Sequence, residues 1–318
     1  CSRNWNRAMS DENPAPAAPG FAFVAVLGAP NVGKSTLINR LVGTKVSIVS
    51  PKVQTTRARV LGICIAGPAQ IVFIDTPGVF EPRRRLDRAM VAAAWTGAAD
   101  ADRICLLVDS AKGIDKDTRA IIKRLCEQGK RADLVLNKVD LVKKTALLEL
   151  AGELNETGQD KTKVFDDTFM ISAERGDGVD DLLAHLAATA PEGPWMFPED
   201  QISDMPERLL AAEITREKLY LQLRQELPYA ATVETEAWTE QDDGSARVEQ
   251  VIYVQRATQK AIVLGKKGNR IKSIGAEARI ELEELLGRRV HLFLFVKVRE
   301  KWGDDPERYR DWGLDYNA

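Results

Sequence analysis

The chain has 318 residues, 44% of them apolar and 29% charged, and a formal net charge of -2. That length suits two domains of ordinary size, and the composition is that of a soluble chain with a real core. At this net charge, overall electrostatics announce no nucleic-acid partner, though a local basic patch is permitted. With no apolar run of about eighteen residues, no membrane-spanning helix is expected.

The first stretch, residues 1–20, holds Pro14, Pro16 and Pro19 but no apolar signal region, and reads as a disordered lead-in. Phe21 to Leu27 is an unbroken apolar run, the pattern of a strand covered on both faces. Gly28-Ala-Pro-Asn31-Val32-Gly33-Lys34-Ser35 then matches the phosphate-loop spacing, and Thr36 to Val42 continues at helical spacing. Gly28 and Gly33 let the backbone turn tightly with no Cβ to block a phosphate. The N–H groups from Asn31 through Thr36 are expected to form an anion nest at a helix N-terminus. Lys34 is expected to reach the outer phosphates, and the Ser35 hydroxyl to ligate Mg²⁺.

Lys52-Val-Gln-Thr55-Thr56-Arg57 follows as a candidate mobile segment sensing the γ-phosphate, with Thr56 completing the Mg²⁺ shell. Arg59–Ala66 and Gln70–Ile74 read as a strand pair turned at Gly67-Pro68. The second of these ends in Asp75-Thr-Pro-Gly78. An acid there can hold Mg²⁺, and the Gly78 N–H can meet the γ-phosphate. Val79 follows where an amide could have oriented water, so intrinsic turnover should be slow. Lys34, Thr56, Asp75 and Gly78 are therefore the candidate catalytic groups.

Ile104–Asp109 is another buried strand, Asp115–Gln128 a helix, and Ala132–Leu136 a strand closed by Asn137-Lys138-Val139-Asp140. This is a guanine-reading pattern. An aspartate accepts from both N1–H and the exocyclic amine of guanine, and adenine cannot match it. Asn137 is expected at the O6/N7 side, and Lys138 over the ring, bracing the phosphate loop. After the strand Thr168–Ile171, Ser172-Ala173-Glu174 offers the Ala173 N–H to guanine O6. Val179–Thr189 is a closing helix. These motifs fall at the ends of alternating strands, where a doubly wound α/β sheet binds ligands. This half resembles the translation-linked GTPases.

Residues 191–206 hold four prolines and read as a stiff connector that could change path with the nucleotide. An amphipathic helix is expected over Pro206–Leu227, ended by Pro228. Strands follow at Ala230–Glu240 and Ala246–Arg256, then a short helix over Thr258–Ile262, a longer one to Leu286, and a strand over Val290–Val298. Between the two later helices lies Gly265-Lys266-Lys267-Gly268, with Arg270, Ile271 and Lys272 just beyond. From Arg256 to Gly275 there are six basic residues and no acid. The order α-β-β-α-α-β with G-x-x-G resembles an α+β KH domain of the bacterial type II kind, whose glycine loop lets single-stranded RNA approach the backbone. The aromatics of the tail, Trp302, Tyr309, Trp312 and Tyr316, are expected to pack on that domain.

A GTPase unit over 21–190, a linker over 191–206, a KH unit over 207–300 and a tail over 301–318 together resemble the Era family. The motifs GAPNVGKST, QTTR, DTPG, NKVD, SAERG and GKKGNRIKSIG carry the resemblance. It implies hydrolysis of GTP to GDP and phosphate with Mg²⁺. It also implies binding of the 3′ end of 16S ribosomal RNA and a role in 30S subunit maturation. It implies a cytoplasmic location with peripheral contact to the inner membrane, and a monomer is expected. Cys1, Cys64, Cys105 and Cys126 lack metal-ligand spacing and read as thiols of a reducing compartment. His185 and His291 are isolated and take no role. Two rival classes are a tRNA-modifying GTPase partner, which should carry catalytic cysteines or a cofactor domain, and a membrane-transport switch, which should carry spans or lipidation motifs.

Overall fold

The computed structural model describes residues 18–318 apart from 53, 54, 58, 83, 157–162, 225 and 226. The expected lead-in up to residue 17, and Gln54 of the threonine segment, lie outside the described residues. The first half runs β1 (Gly20–Gly28), α1 (Lys34–Val42), β2 (Val60–Ala66), β3 (Ala69–Asp75), α2 (Arg85–Asp100) and β4 (Arg103–Asp109). It continues with α3 (Lys116–Glu127), β5 (Ala132–Asn137), α4 (Lys144–Glu156), β6 (Phe165–Met170) and α5 (Val179–Ala188).

These strands form one sheet in the order β2-β3-β1-β4-β5-β6, parallel except for the edge strand β2. The chain order reverses beside β1, so the ends of β1, β3, β4 and β5 open onto one crevice. Leu37, Ile38 and Leu41 of α1, with Leu182 and Leu186 of α5, cover one face. Ala94, Trp95 and Ala98 of α2, Ile121, Ile122 and Leu125 of α3, and Leu154 of α4 cover the other. Periodicity did not expose α2 and α4. The inner face of α2 is largely alanine and Gly97, so its apolar stripe is faint against its alanine-rich outer side.

The second half is α6 (Glu207–Gln222), β7 (Ala231–Glu240), β8 (Ala246–Val254), α7 (Ala257–Leu264), α8 (Asn269–Leu286) and β9 (Val290–Val298). Its sheet runs β7-β8-β9, with β7 antiparallel and β9 parallel to β8. Helix α6 is shorter than its apolar pattern suggests. It stops at Gln222, Leu223 turns extended, and Pro228 opens a 3₁₀ turn instead of ending the helix. Leu223 and Leu227 both join the core that Ala231 and Val233 of β7 and Ile252 and Val254 of β8 form.

The connector is not a free strap. Phe21 N–H donates to Pro191 O (2.9 Å), Ile63 N–H to Ile202 O (2.9 Å), and Leu61 N–H to the Asp204 carboxylate (2.9 Å). Buried Gln70 accepts from Met196 N–H (3.1 Å) and Phe197 N–H (3.0 Å) and donates to Phe197 O (2.8 Å). The connector is thus sewn along β2 and β3.

The tail, with its short helix α9 (Pro306–Asp311), does more than pack on the second half. Trp302, Tyr309, Trp312 and Leu314 close over Ala89 and Met90 of α2. Cys64, Cys105 and Cys126 are unpaired thiols. Among the described residues, no helix is long and apolar enough to cross a membrane.

Candidate nucleotide site and nucleic-acid interface

The glycine loop between β1 and α1 is built so that only hydrogen fits at two positions. Gly33 has φ 102°, and a Cβ there would lie 2.3 Å from Asn137 Nδ2. Gly28 has φ 155°, and its Cβ would lie 2.6 Å from Leu107 O. Since α1 starts at Lys34, the free N–H groups of its first turn face the loop. Lys34 is buried and donates to Gly28 O and Ala29 O, both at 3.0 Å. Burial lowers its ammonium to about 8, against the opposing pull of Asp75.

Three oxygens converge beside it. Ser35 Oγ donates to Asp75 Oδ2 at 2.9 Å and lies 3.0 Å from Thr56 Oγ1, which in turn donates to Asp75 Oδ2 at 3.3 Å. The Ser47 hydroxyl donates to the same carboxylate oxygen. Asp75 is fully buried, and its Oδ1 has no hydrogen-bond partner among the described residues. Burial pushes its pKa up, and the Ser47 hydroxyl, Lys34, and the Ser35 and Thr56 hydroxyls oppose that rise. A buried acid with a spare oxygen, ringed by hydroxyls, is a set of hard donors that fits Mg²⁺.

Gly78 sits against the loop, where a Cβ would come 3.0 Å from Pro30 Cα. Val79 is buried and donates its N–H to Gly28 O at 3.1 Å, so no side-chain amide stands at that place. A cavity of about 410 Å³ opens here, lined by Asn31, Lys34, Thr36, Thr56, Gly78 and Lys138 among others. Lys138 donates to Asn31 O (2.8 Å) and to the Asp109 carboxylate (2.7 Å), the brace on the phosphate loop that its motif implies.

The base end is wired differently from expectation. Buried Asn137 donates to Val32 O (2.8 Å) and accepts from Lys138 N–H (2.8 Å) and Ala173 N–H (2.9 Å). It is foremost a pin joining three loops. The Ala173 N–H is taken by that bond, so the role expected for it at guanine O6 requires the bond to be shared or broken. Asp140 is partly exposed, two residues past Lys138 of the cavity wall. A hydrogen bond from Ser172 holds its carboxylate below the usual range, with Arg175 Nε at 3.7 Å. Glu174 is exposed, and its carbonyl accepts from Arg40, which also donates to Ala173 O (3.3 Å).

Ser47, Arg40 and Asp109 were not legible as site residues. Asp109 alone carries a signal, an acid closing an apolar run as Asp75 does. The cluster Asp133, Asp167 and His185 lies at the other end of the sheet and already holds the Arg103 guanidinium, 2.9 Å from His185 Nε2.

In the second half, Gly265 and Gly268 both take positive φ, and Lys266 and Lys267 between them are exposed, with Lys267 itself left-handed at φ 54°. A Cβ on Gly265 would lie 2.7 Å from Arg270 Cβ. Arg270 belongs to the loop's frame more than to its charged face. Its guanidinium donates to Ile262 O at 2.5 Å, tying α8 to the end of α7. Ile271 packs into the core, and Lys272 stays exposed. Exposed Ile262 adds apolar surface beside the lysines.

Phosphate loop, convergent Mg²⁺ donors and glycine–lysine loop define a class: a GTPase unit joined to an RNA-binding-type KH unit. Residues 23–138 match the family model for 50S ribosome-binding GTPases, and residues 226–303 match that for KH domains. The chain is 63% identical to "GTPase Era" of Rhizobium meliloti over 92% of both chains, and 61% identical to that of Brucella suis over 92% and 93%. A solved Era in complex with MgGDPNP and nucleotides 1506–1542 of 16S ribosomal RNA superposes with a TM-score of 0.87 at 40% identity, covering 93% of this chain and 99% of that one. A single-residue variant of Aquifex aeolicus Era bound to GDP·AlF₄⁻ gives 0.86 at 40% identity, covering 92% and 99%. The chain belongs to the GTPase Era family and is a GTP-hydrolysing enzyme.

Proposed function

We propose that this GTPase binds GTP or GDP with Mg²⁺ in the crevice above β1, β3, β4 and β5, holds the 3′ end of 16S ribosomal RNA on its KH unit, and acts in maturation of the 30S subunit. The observation that carries the reading is the convergence of Ser35, Thr56 and Asp75 oxygens beside a buried Lys34, in a chain that also presents Lys266 and Lys267 between two glycines of positive φ. The solved Era that holds both MgGDPNP and 16S ribosomal RNA supports joining the two halves in one activity.

The loop N–H groups and Lys34 bind and orient the phosphates. Ser35, Thr56 and Asp75 hold Mg²⁺, which neutralises charge on the phosphate oxygens when bound. The Gly78 N–H meets the terminal phosphate. Asp140 accepts from N1–H and the amine of guanine, Asn137 and Lys138 keep that edge in register with the phosphate loop, and Ser172 holds the Asp140 carboxylate in place. On the KH side, the glycines admit the RNA backbone, the lysines meet its phosphates, and the apolar surface by Ile262 and Ile271 receives unstacked bases. A cytoplasmic monomer with peripheral contact to the inner membrane completes the proposal.

The test is binding of a labelled 3′-terminal 16S ribosomal RNA strand with a GTP analogue and with GDP. Tighter binding than to a scrambled strand, in at least one nucleotide state, is expected. Equal affinity for both strands in every state overturns the RNA assignment.

A further inference from the structure

The threonine segment is held from both sides at once. Thr56 turns toward Ser35 and Asp75, while the Thr55 carbonyl and the Arg57 side chain meet the KH half and the tail. Thr55 O accepts from Arg216 of α6, whose guanidinium is clasped by Glu213 (Nε to Oε1 2.7 Å). Val49 N–H donates to Glu217 (2.7 Å), and Lys52 Nζ to Leu223 O (2.8 Å).

Arg57 is the anchor that reaches furthest into the other half and the tail. It is 1% exposed and leaves its own half altogether. One Nη donates to Ala231 O (3.2 Å), the other to the Tyr220 hydroxyl (2.8 Å). The guanidinium carbon lies 5.3 Å from the Trp302 ring centre, 5.8 Å from that of Tyr220 and 5.9 Å from that of Trp312. Trp302 is itself fixed by its indole N–H to Ala230 O (3.0 Å). Arg57 Nε has no hydrogen-bond partner among the described residues, so the aromatic faces are what compensates that side of the buried cation.

We propose that Arg57 is a positioning residue for Thr56, and that the cage of Tyr220, Trp302 and Trp312 makes the C-terminal tail a determinant of preference for the triphosphate over the diphosphate. The cage fixes the backbone one residue from the hydroxyl that completes the Mg²⁺ set, so its loss frees Thr56 without touching the phosphate loop. The diphosphate, held by that loop and Asp140, does not depend on it. The inference rests on the reading of Thr56 as a ligand of the triphosphate state.

The experiment uses the full chain and fluorescent GDP and non-hydrolysable GTP-analogue titrations over a Mg²⁺ series. Arg57→Gln and Trp312→Leu should each weaken analogue binding about tenfold and raise the Mg²⁺ it requires, with GDP affinity unchanged. Arg57→Lys, which keeps a cation in the cage, should recover part of the loss. Thr56→Ala is the reference. If it leaves the analogue-to-GDP ratio untouched, the Thr56 reading fails and takes the inference with it. If Thr56→Ala lowers the ratio but the Arg57 and Trp312 variants keep it, the inference alone is overturned. Equal weakening of both nucleotides by the cage variants also overturns it, because that is the mark of a merely structural role.

Discussion

In the proposed site, one carboxylate, that of Asp140, carries the choice of base. Its Ser172 bond and the nearby Arg175 keep it ionised, the form that accepts twice from guanine. Asp140→Asn should replace one acceptor with a donor and move preference toward xanthosine nucleotides. Competition of XTP against GTP in a binding assay checks this, and an unchanged GTP preference counts against the role. Gly33 is the steric counterpart. With φ 102° and 2.3 Å between a built Cβ and Asn137 Nδ2, Gly33→Ala must push the phosphate loop or break the Asn137 pin. Loss of GDP and GTP-analogue binding together, by more than about a hundredfold, is expected because a buried pinned network has no cheap way to relax. Calorimetry on the purified variant measures it.

Among the elements, the loop between α7 and α8 separates strain from space. Nothing lies within 4 Å of a Cβ on Gly268, so a side chain fits there, but φ 77° disfavours one. Gly268→Asp therefore costs about 1 kcal/mol of backbone strain and sets a negative charge among Lys266 and Lys267. It should weaken RNA binding and leave basal GTP hydrolysis intact, which paired filter-binding and phosphate-release assays would separate. Replacing Lys266 and Lys267 together with alanine should lower the slope of log affinity against log salt by about 1.4, at roughly 0.7 per phosphate contact on a single strand. Arg270 should contribute less to that slope, since its guanidinium is spent on Ile262 O.

At the level of the whole molecule, the two halves meet through the threonine segment and the tail, while the connector lies along the sheet. Lys45 reaches both Glu217 of α6 and Glu281 of α8, a second bridge beside the Arg57 cage. Gln70 holds the connector by three bonds from a fully buried position. Gln70→Ala should cost about 1–3 kcal/mol by leaving Met196 and Phe197 backbone groups unpaired, seen as a lower thermal midpoint. GDP affinity should not change, because Gln70 faces away from the crevice. A connector that swings with the nucleotide would instead tie Gln70→Ala to a change in nucleotide response.

The local motifs were visible in sequence alone, because each packs its proposed chemistry into a few adjacent residues: Gly28–Ser35 for phosphate, Asp75–Gly78 for metal and γ-phosphate, Asn137–Asp140 for the base, Gly265–Gly268 for RNA. Strand and helix order followed, since buried strands and amphipathic helices leave a period in the chain. Alanine-lined α2 left little period and escaped, and α6 ended at Gln222, five residues before its apolar pattern did. What only tertiary structure decided is which side chains are spent on one another. Asn137 and Arg270 turned inward as braces, Ser47 and Asp109 joined the site from outside any motif, and Arg57 crossed into a cage of Tyr220, Trp302 and Trp312. Those pairings span up to 255 positions of chain between Arg57 and Trp312. No local pattern encodes them, because they arise from the packing of the two halves and the tail against each other.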